Sequence, residues 1–393
     1  MCAVPRFGSG GFMKLVHTAD WHLGKYLYGR SLLSDQEYFV REQFLPFLRE
    51  ERPDLVILAG DVFDRAIAPS GALRLFDSFL SGVSALGIPL AVIAGNHDGP
   101  DRMAIGGALL RKSGIYLAAR PEEVLCPVEL TCGDRPVRLF LLPYGEPAEI
   151  RALLGNEELR TFQEAYAALL ERAAALAAPD RLNLLAAHCF AAGSVTSASE
   201  SPVYVGGTGE VSTACFAPFS YTALGHLHAP QRAGEHGRYA GSPLKYSFDE
   251  ANQEKSVTVV EFDGEEPRIS FRSFPPLRDL RVLTGSFEEL LARAKAEPCE
   301  DYLLCELTDN GPVYLPAEQL RPYWPNLLGL SSRWLAGAGE GSEDGLREQL
   351  RHNGTDASAV LREFLTQICG YEPDANDEEL FLTALRGEEE EEA

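Results

Sequence analysis

The chain has 393 residues, 45% of them apolar and 24% charged, a composition that fits a globular protein of two or more domains. Its formal net charge of −23 points away from a nucleic-acid ligand if charge alone is weighed, because phosphate neutralisation normally draws on Lys and Arg. No run reaches the ~18 apolar residues of a transmembrane helix, and the eight scattered cysteines contain no CxxC pair, which argues against a zinc ribbon and a disulfide framework.

Residues 1–12, MCAVPRFGSGGF, lack the apolar core of a signal peptide and read as a disordered leader. From Met13 onward, LVHTA (15–19), LVILA (55–59), PLAVIA (89–94) and LNLLAA (182–187) read as buried strands. Gln36–Arg49 and Ala72–Leu86 lie between the first three and carry apolar residues three and four apart, a helical period. Strand, helix, strand repetition predicts an α/β layer fold, and RLFLLPY (138–144), YTALG (221–225) and SVTVVEF (256–262) add strands. Phe274-Pro275-Pro276 closes a first domain at residues 13–274, since consecutive prolines continue neither a strand nor a helix.

Residues 275–335 repeat the α/β pattern on a smaller scale, with a strand near 280–283, a helix near 287–296 and a strand near 302–307. Residues 336–355 open on AGAGEGSEDG and read as a flexible linker. A pair of short helices is expected over 356–386. The first carries Val360, Leu361, Phe364, Leu365 and Ile368 and stops at Gly370; the second carries Leu380, Phe381 and Leu385. Residues 387–393 form an acidic tail.

Five polar motifs fall at the carboxyl ends of predicted strands, where open α/β sheets place their ligands. They are Asp20-Trp-His22, Gly60-Asp61-Val-Phe-Asp64, Gly95-Asn96-His97-Asp98, His188, and Gly225-His226-Leu-His228. Five of the eight histidines sit in them, so the concentration exceeds what composition supplies. Carboxylate, amide and imidazole donors without thiolate suit Mn, Fe or Zn better than Mg. A two-metal centre needs a shared carboxylate, and Asp61 is the natural bridge.

The motif set resembles the calcineurin-like metallophosphoesterases over roughly residues 13–262. That resemblance implies a layered β-sandwich flanked by helices. It also implies one metal on Asp20, His22, Asp61 and His228 and a second on Asp61, Asn96, His188 and His226. His97 would be the general acid, oriented by Asp64 through a hydrogen bond, with Asp98 in support. HTADWHLGKYLYGRSLLSDQE (17–37), LAGDVFDRAIAP (58–69), VIAGNHD (92–98), YTALGHLH (221–228) and GSPLKYSFDE (241–250) are similar to the SbcD family of bacterial DNA-repair nucleases. The last of these contains no predicted metal ligand. In 275–335, LTDNGPVY and LRPYWPNLLGL are similar to that family's capping domain.

Membership would imply a manganese-dependent single-strand endonuclease and double-strand 3′-to-5′ exonuclease that opens DNA hairpins in repair. It would imply a homodimer joined by an SbcC-type coiled-coil ATPase into a heterotetramer, docked through the helices of 356–386, in the cytoplasm at the nucleoid. Arg65, Lys25 and Tyr26 are candidate DNA contacts. The rival expectation is a phosphomonoesterase or cyclic-nucleotide phosphodiesterase with the same dinuclear site; a DNA-end tether with dispensable catalysis is a third.

Overall fold

The computed structural model describes residues 12–200, 209–264, 266–311 and 313–333, together with Ser358, Leu361, Arg362, Asp374 and Asp377. Apart from Phe12 and those isolated positions, the expected leader, linker, terminal helix pair and acidic tail lie outside the described residues. The chain divides into two compact units, Met1–Leu277 and Arg278–Ala393. Among the described residues no helix is long and apolar enough to cross a membrane.

The strands of the two main sheets of the first unit are, in chain order, β1 (Met13–Thr18), β2 (Leu55–Ala59), β3 (Leu90–Ile93), β4 (Ile115–Ala118), β5 (Val128–Cys132), β6 (Arg135–Leu142), β7 (Leu182–His188), β8 (Tyr221–Gly225), β9 (Gln231–Ala233), β10 (Gly237–Tyr239), β11 (Ser256–Phe262) and β12 (Pro267–Ser273). They form two six-stranded sheets, ordered β12-β11-β1-β2-β3-β4 and β9-β10-β8-β7-β6-β5. β1 to β4 are parallel, as are β6, β7, β8 and β10, and the remaining strands are antiparallel additions at the edges.

Side chains alternate across a strand, so a run apolar at every position is buried on both faces. In β2, Leu55, Ile57 and Ala59 face the second sheet, packing with Leu139, Leu141, Leu184 and Ala186. Val56 and Leu58 face the other way, against Phe44, Leu75, Phe79 and Val83 of the covering helices. The second sheet behaves likewise: Phe140, Leu142 and Leu185 turn outward onto Ile150, Phe162, Tyr166 and Leu169. The product is helix, sheet, sheet, helix: the α/β layering expected from the strand–helix alternation, with the two-sheet sandwich that the family resemblance implies.

Local sequence explains the covering helices. Ser70–Leu86 buries Ala72, Leu75, Phe76, Phe79 and Val83, one stripe at helical spacing, and ends at Gly87 with φ of 69°. Phe162–Ala174 starts in a capping box, with Thr161 accepting from the Glu164 N–H and Glu164 from the Thr161 N–H. The helix expected over 36–49 runs from Leu33 to Glu51 but widens to a π turn over Phe39–Phe44. Pro46 has no N–H to return to the Glu42 carbonyl, which accounts for the loosening just before it. The wide turn sets Phe39 and Phe44, five residues apart, in a stack at 5.4 Å against the buried Trp21 ring.

In the second unit Leu280–Gly285, Tyr302–Leu307 and Leu327–Ser332 form a parallel three-stranded sheet. The helix Phe287–Ala296 starts in a Ser286–Glu289 capping box, and the core gathers Leu283, Leu290, Leu303, Cys305 and Trp324.

Candidate metal centre

The loops that follow β1, β2, β3, β7 and β8 meet at the carboxyl ends of their strands, where both sheets are parallel. Parallel pairing continues past β1 and β2 into their loops: Asp20 N–H donates to Gly60 O (3.0 Å), His22 N–H to Asp61 O (2.9 Å) and Leu23 N–H to Val62 O (2.9 Å). The two sheets approach closely here, so that a Cβ on Gly225 would overlap the Ala59 carbonyl oxygen. The same carbonyl lies 2.9 Å from His188 Nδ1, and Asp20 Oδ1 accepts from the His226 N–H at 2.9 Å.

Four predicted ligands sit in backbone conformations that side chains rarely adopt: Asp20 (φ 55°), His22 (44°), Asp61 (47°) and His226 (111°). Each such position costs of order 1–3 kcal/mol. Strain concentrated on these residues marks a site held in place for chemistry rather than for packing.

The donors converge. His22 Nε2 lies 3.1 Å from His228 Nε2 and 3.5 Å from Asp61 Oδ2. His188 Nε2 lies 3.0 Å from Asn96 Oδ1 and 3.6 Å from the same Asp61 oxygen, while His226 Nδ1 is 3.1 Å from Asn96 Oδ1. Asp20, Asp61 and His188 also offer ligand atoms all within 4.8 Å of one another. Thus Asp20, His22, Asp61, Asn96, His188, His226 and His228 are brought to one place.

Their protonation chemistry fits a cation. Burial holds the imidazoles of His22, His188, His226 and His228 neutral, with pKa values below the ordinary range, and that of His226 falls to about 3. His188 must donate from Nδ1 to the Ala59 carbonyl, so its Nε2 carries a lone pair that faces oxygen acceptors. Whichever way the Asn96 amide is turned, the Asp61 oxygen remains opposite that lone pair. Asp20 Oδ2 and His22 Nδ1 are buried without a hydrogen-bond partner, and burial with the nearby Asp61 charge pushes the Asp20 carboxyl well above the usual range. Two nitrogens at ~2.1 Å from one ion, set at a right angle, lie about 3 Å apart, the observed spacing of His22 and His228. Divalent cations among the facing nitrogens and carboxylate oxygens would relieve the lone-pair and charge mismatches, whereas His22 Nδ1 points away from them, toward the Asp64 carboxylate at 3.6 Å.

His97 stands beside this group, its ring 4.8 Å from that of His22, and its N–H donates to Asp61 Oδ1 at 2.9 Å. The family resemblance implies a side-chain hydrogen bond from Asp64 to His97. The structure instead puts the 2.9 Å contact with His97 Nδ1 on the Asp64 backbone carbonyl. The Asp64 carboxylate takes Lys25 Nζ at 2.8 Å, with His22 Nδ1 at 3.6 Å. Lys25 is therefore engaged in an ion pair and lies over the Tyr246 ring at 5.4 Å. Tyr26 and Arg65 are exposed, Arg65 within 3.7 Å of Asp64.

Asp98 binds neither donor group; its carboxylate accepts from the N–H groups of Val62, Phe63 and Gly95 and ties two motif loops together. Burial and the Asp61 charge push its pKa up to about 7, against the three donors. Asp98→Ala should lower unfolding free energy by about 3 kcal/mol, since it orphans buried N–H groups that now meet a carboxylate. Urea unfolding of the metal-free protein reads this, and an unchanged midpoint would remove Asp98 from the framework of the site.

Sequence reasoning passed over Gln36, Tyr246, Glu250 and Lys255. Gln36 clamps the first motif, donating to the carbonyls of Trp21 and His22 and accepting from the Gly24 N–H. Tyr246 donates to the Trp21 carbonyl at 2.5 Å, and Glu250 lies 3.1 Å from His228 Nδ1. The signal for Tyr246 and Glu250 was GSPLKYSFDE, a motif without ligands whose role emerges only when it folds under His228.

Comparison with known proteins identifies the family. A family model described as calcineurin-like phosphoesterase matches residues 13–230, and one described as type 5 capsule protein repressor C-terminal domain matches 276–368. A Staphylococcus epidermidis protein named as the D subunit of the nuclease SbcCD is 34% identical over 324 residues, spanning 81% of this chain and 85% of that protein. The crystal structure of the Thermus thermophilus protein TT1561 aligns with 66% of this chain and 99% of its own, at 15% identity and a TM-score of 0.39, too distant to bear on function. The chain belongs to the SbcD family of calcineurin-like phosphoesterases, metal-dependent hydrolases.

Proposed function

We propose that this chain is the nuclease subunit of an SbcCD-type DNA-repair complex and hydrolyses DNA phosphodiesters at a two-metal site. The observation that carries the reading is Asp61, one of whose oxygens lies 3.5 Å from His22 Nε2 and 3.6 Å from His188 Nε2, facing both donor groups at once. One ion would rest on Asp20, His22, Asp61 and His228, the other on Asp61, Asn96, His188 and His226. We assign manganese, with iron or zinc as substitutes, from the mixed oxygen and imidazole donors and the lack of thiolate. Bound divalent ions supply an acidified water and neutralise phosphate oxygens.

The residues around them do the rest. His97, held at Nδ1 by the Asp64 carbonyl, would pass its Nε2 proton to the leaving oxygen. Asp64 keeps Lys25 at the edge of the site, and Arg65, Lys25 and Tyr26 would meet the DNA backbone. The bound cations would offset locally the acidic surplus of the whole chain. The S. epidermidis relative is named as one subunit of a complex. By extension we assign this chain a coiled-coil ATPase partner of the SbcC type, engaged through residues 356–386. A capping role for 275–335, a homodimer within a heterotetramer, and a cytoplasmic, nucleoid-associated location complete the proposal. The activities assigned are single-strand endonuclease and ATP-dependent 3′-to-5′ duplex exonuclease, hairpins included.

The test is manganese-dependent cleavage of a labelled hairpin duplex, with nitrophenyl phosphate in parallel, with and without the ATPase. Cleavage of DNA that EDTA abolishes supports the reading. Hydrolysis of the phosphomonoester beside inert DNA, even with the ATPase, would keep the metals and overturn the substrate.

A further inference from the structure

We infer that Glu250 is a positioning residue that fixes the tautomer of His228, so that one metal of the pair depends on it far more than the other. Glu250 is fully buried and stands at the end of the ligand-free motif 241–250. Its Oε1 lies 3.1 Å from His228 Nδ1 and also contacts Ser199 Oγ and, at 3.2 Å, Ser247 Oγ. Its Oε2 takes Lys255 Nζ at 2.6 Å and the Tyr246 N–H at 3.2 Å. Lys255, itself buried, also donates to the His228 carbonyl at 2.8 Å and to Ser242 Oγ at 3.0 Å. An ammonium at that distance keeps the carboxylate ionised, so Oε1 can only accept.

The proton positions follow from this constraint. Ser199 Oγ lies between the carboxylate and His228 Nδ1, at 2.6 Å from the latter. Its one proton goes to Glu250, and its lone pair is left to accept from His228. Both neighbours of Nδ1 therefore demand an N–H there, and Nε2 keeps its lone pair on the side where His22 Nε2 stands at 3.1 Å. His188 reaches the same state by another route, through the Ala59 carbonyl. The two donor groups thus have different supports: a main-chain carbonyl for one, a buried carboxylate–lysine pair for the other. Removing Glu250 should loosen the ion on His22 and His228 and leave the ion on Asn96 and His188.

The inference rests on the metal-site reading above, and the experiment separates the two. Full-length wild-type protein freed of metal is titrated with Mn²⁺ by calorimetry, beside Glu250→Gln, which keeps an accepting oxygen, and Glu250→Met/Lys255→Met, which removes both the acceptor and the ammonium it would orphan. The expected result in the double variant is one ion bound with wild-type affinity and the other weakened roughly 10–100-fold, the usual effect of losing a histidine's supporting carboxylate. Two ions bound with unchanged affinity would overturn the inference. So would loss of both ions with a falling melting temperature, which would make the pair a purely structural brace.

A second measurement needs no folded variant at Glu250. Nitrogen-15 NMR of histidine-labelled, metal-free wild-type protein, with the His228 signal identified by its loss in His228→Gln, reports the tautomer directly. A proton on Nδ1 supports the inference and a proton on Nε2 overturns it. Failure of the wild type to bind Mn²⁺ would instead count against the metal-site reading, with the tautomer still readable.

Discussion

Asp61→Ala is expected to abolish binding of both ions and to reduce DNA cleavage by about 10⁴-fold, the equivalent of several kcal/mol of lost charge stabilisation. Asp61 has two tasks in the structure. One oxygen faces His22 and His188 together, and the other accepts the His97 N–H at 2.9 Å. Asp20 does not replace it as a bridge, because its Oδ1 is bonded to the His226 N–H and only Oδ2 is left to reach an ion. The metal-free fold should tolerate the change, since burial and repulsion from Asp61 already work against the Asp20 charge. Melting curves with and without Mn²⁺ separate these statements. At 100 times Kd one ion stabilises the wild type by about 2.7 kcal/mol, roughly a 5 °C rise at this size, and the variant should show no rise. A variant that still gained stability from Mn²⁺ in full would show that Asp61 is not the shared ligand.

His97→Ala should keep both ions and cut turnover by roughly 10²–10⁴-fold, the span for loss of a general acid. Its backbone N–H, which braces Asp61, survives the substitution, so metal binding offers a control within the same variant. Asp64 makes the comparison sharper. Its carbonyl, not its carboxylate, meets His97 Nδ1, so Asp64→Asn keeps that contact and removes only the charge opposite Lys25. Its turnover should fall roughly 10-fold, the low end for a supporting contact, clearly less than for His97→Ala. Equal losses would return the orienting role to the Asp64 side chain, and loss of metal from His97→Ala would make that histidine a ligand.

Much of the fold was legible because the strands are buried on both faces. Leu55–Ala59, Tyr221–Gly225 and Ser256–Phe262 begin and end where the apolar runs do, since a run without alternation has one use in a layered sheet. The polar motifs were legible for a related reason: each interrupts an apolar strand at its carboxyl end, and nothing in a core explains a carboxylate or an imidazole there. The widened turn at Phe39–Phe44 was not, although Pro46 was in view, because whether a helix breaks or loosens at proline depends on what packs against it. Here Trp21 and Phe79 hold the ring cluster together.

What the amino-acid order determined by itself is the set of donors and the strands that carry them, through periodicity and residue chemistry. Only the tertiary structure decided which lone pair faces which neighbour. β1 pairs with β11 across more than 200 residues, and Gly225 meets Ala59 from the opposite sheet, so the two donor groups come together through contacts with no local trace. The same holds for Glu250 beneath His228 and for the Asp64 carbonyl on His97. A spacing rule reads side chains along one segment. The direction of an imidazole nitrogen is set by the group behind it, and that group comes from a distant part of the chain.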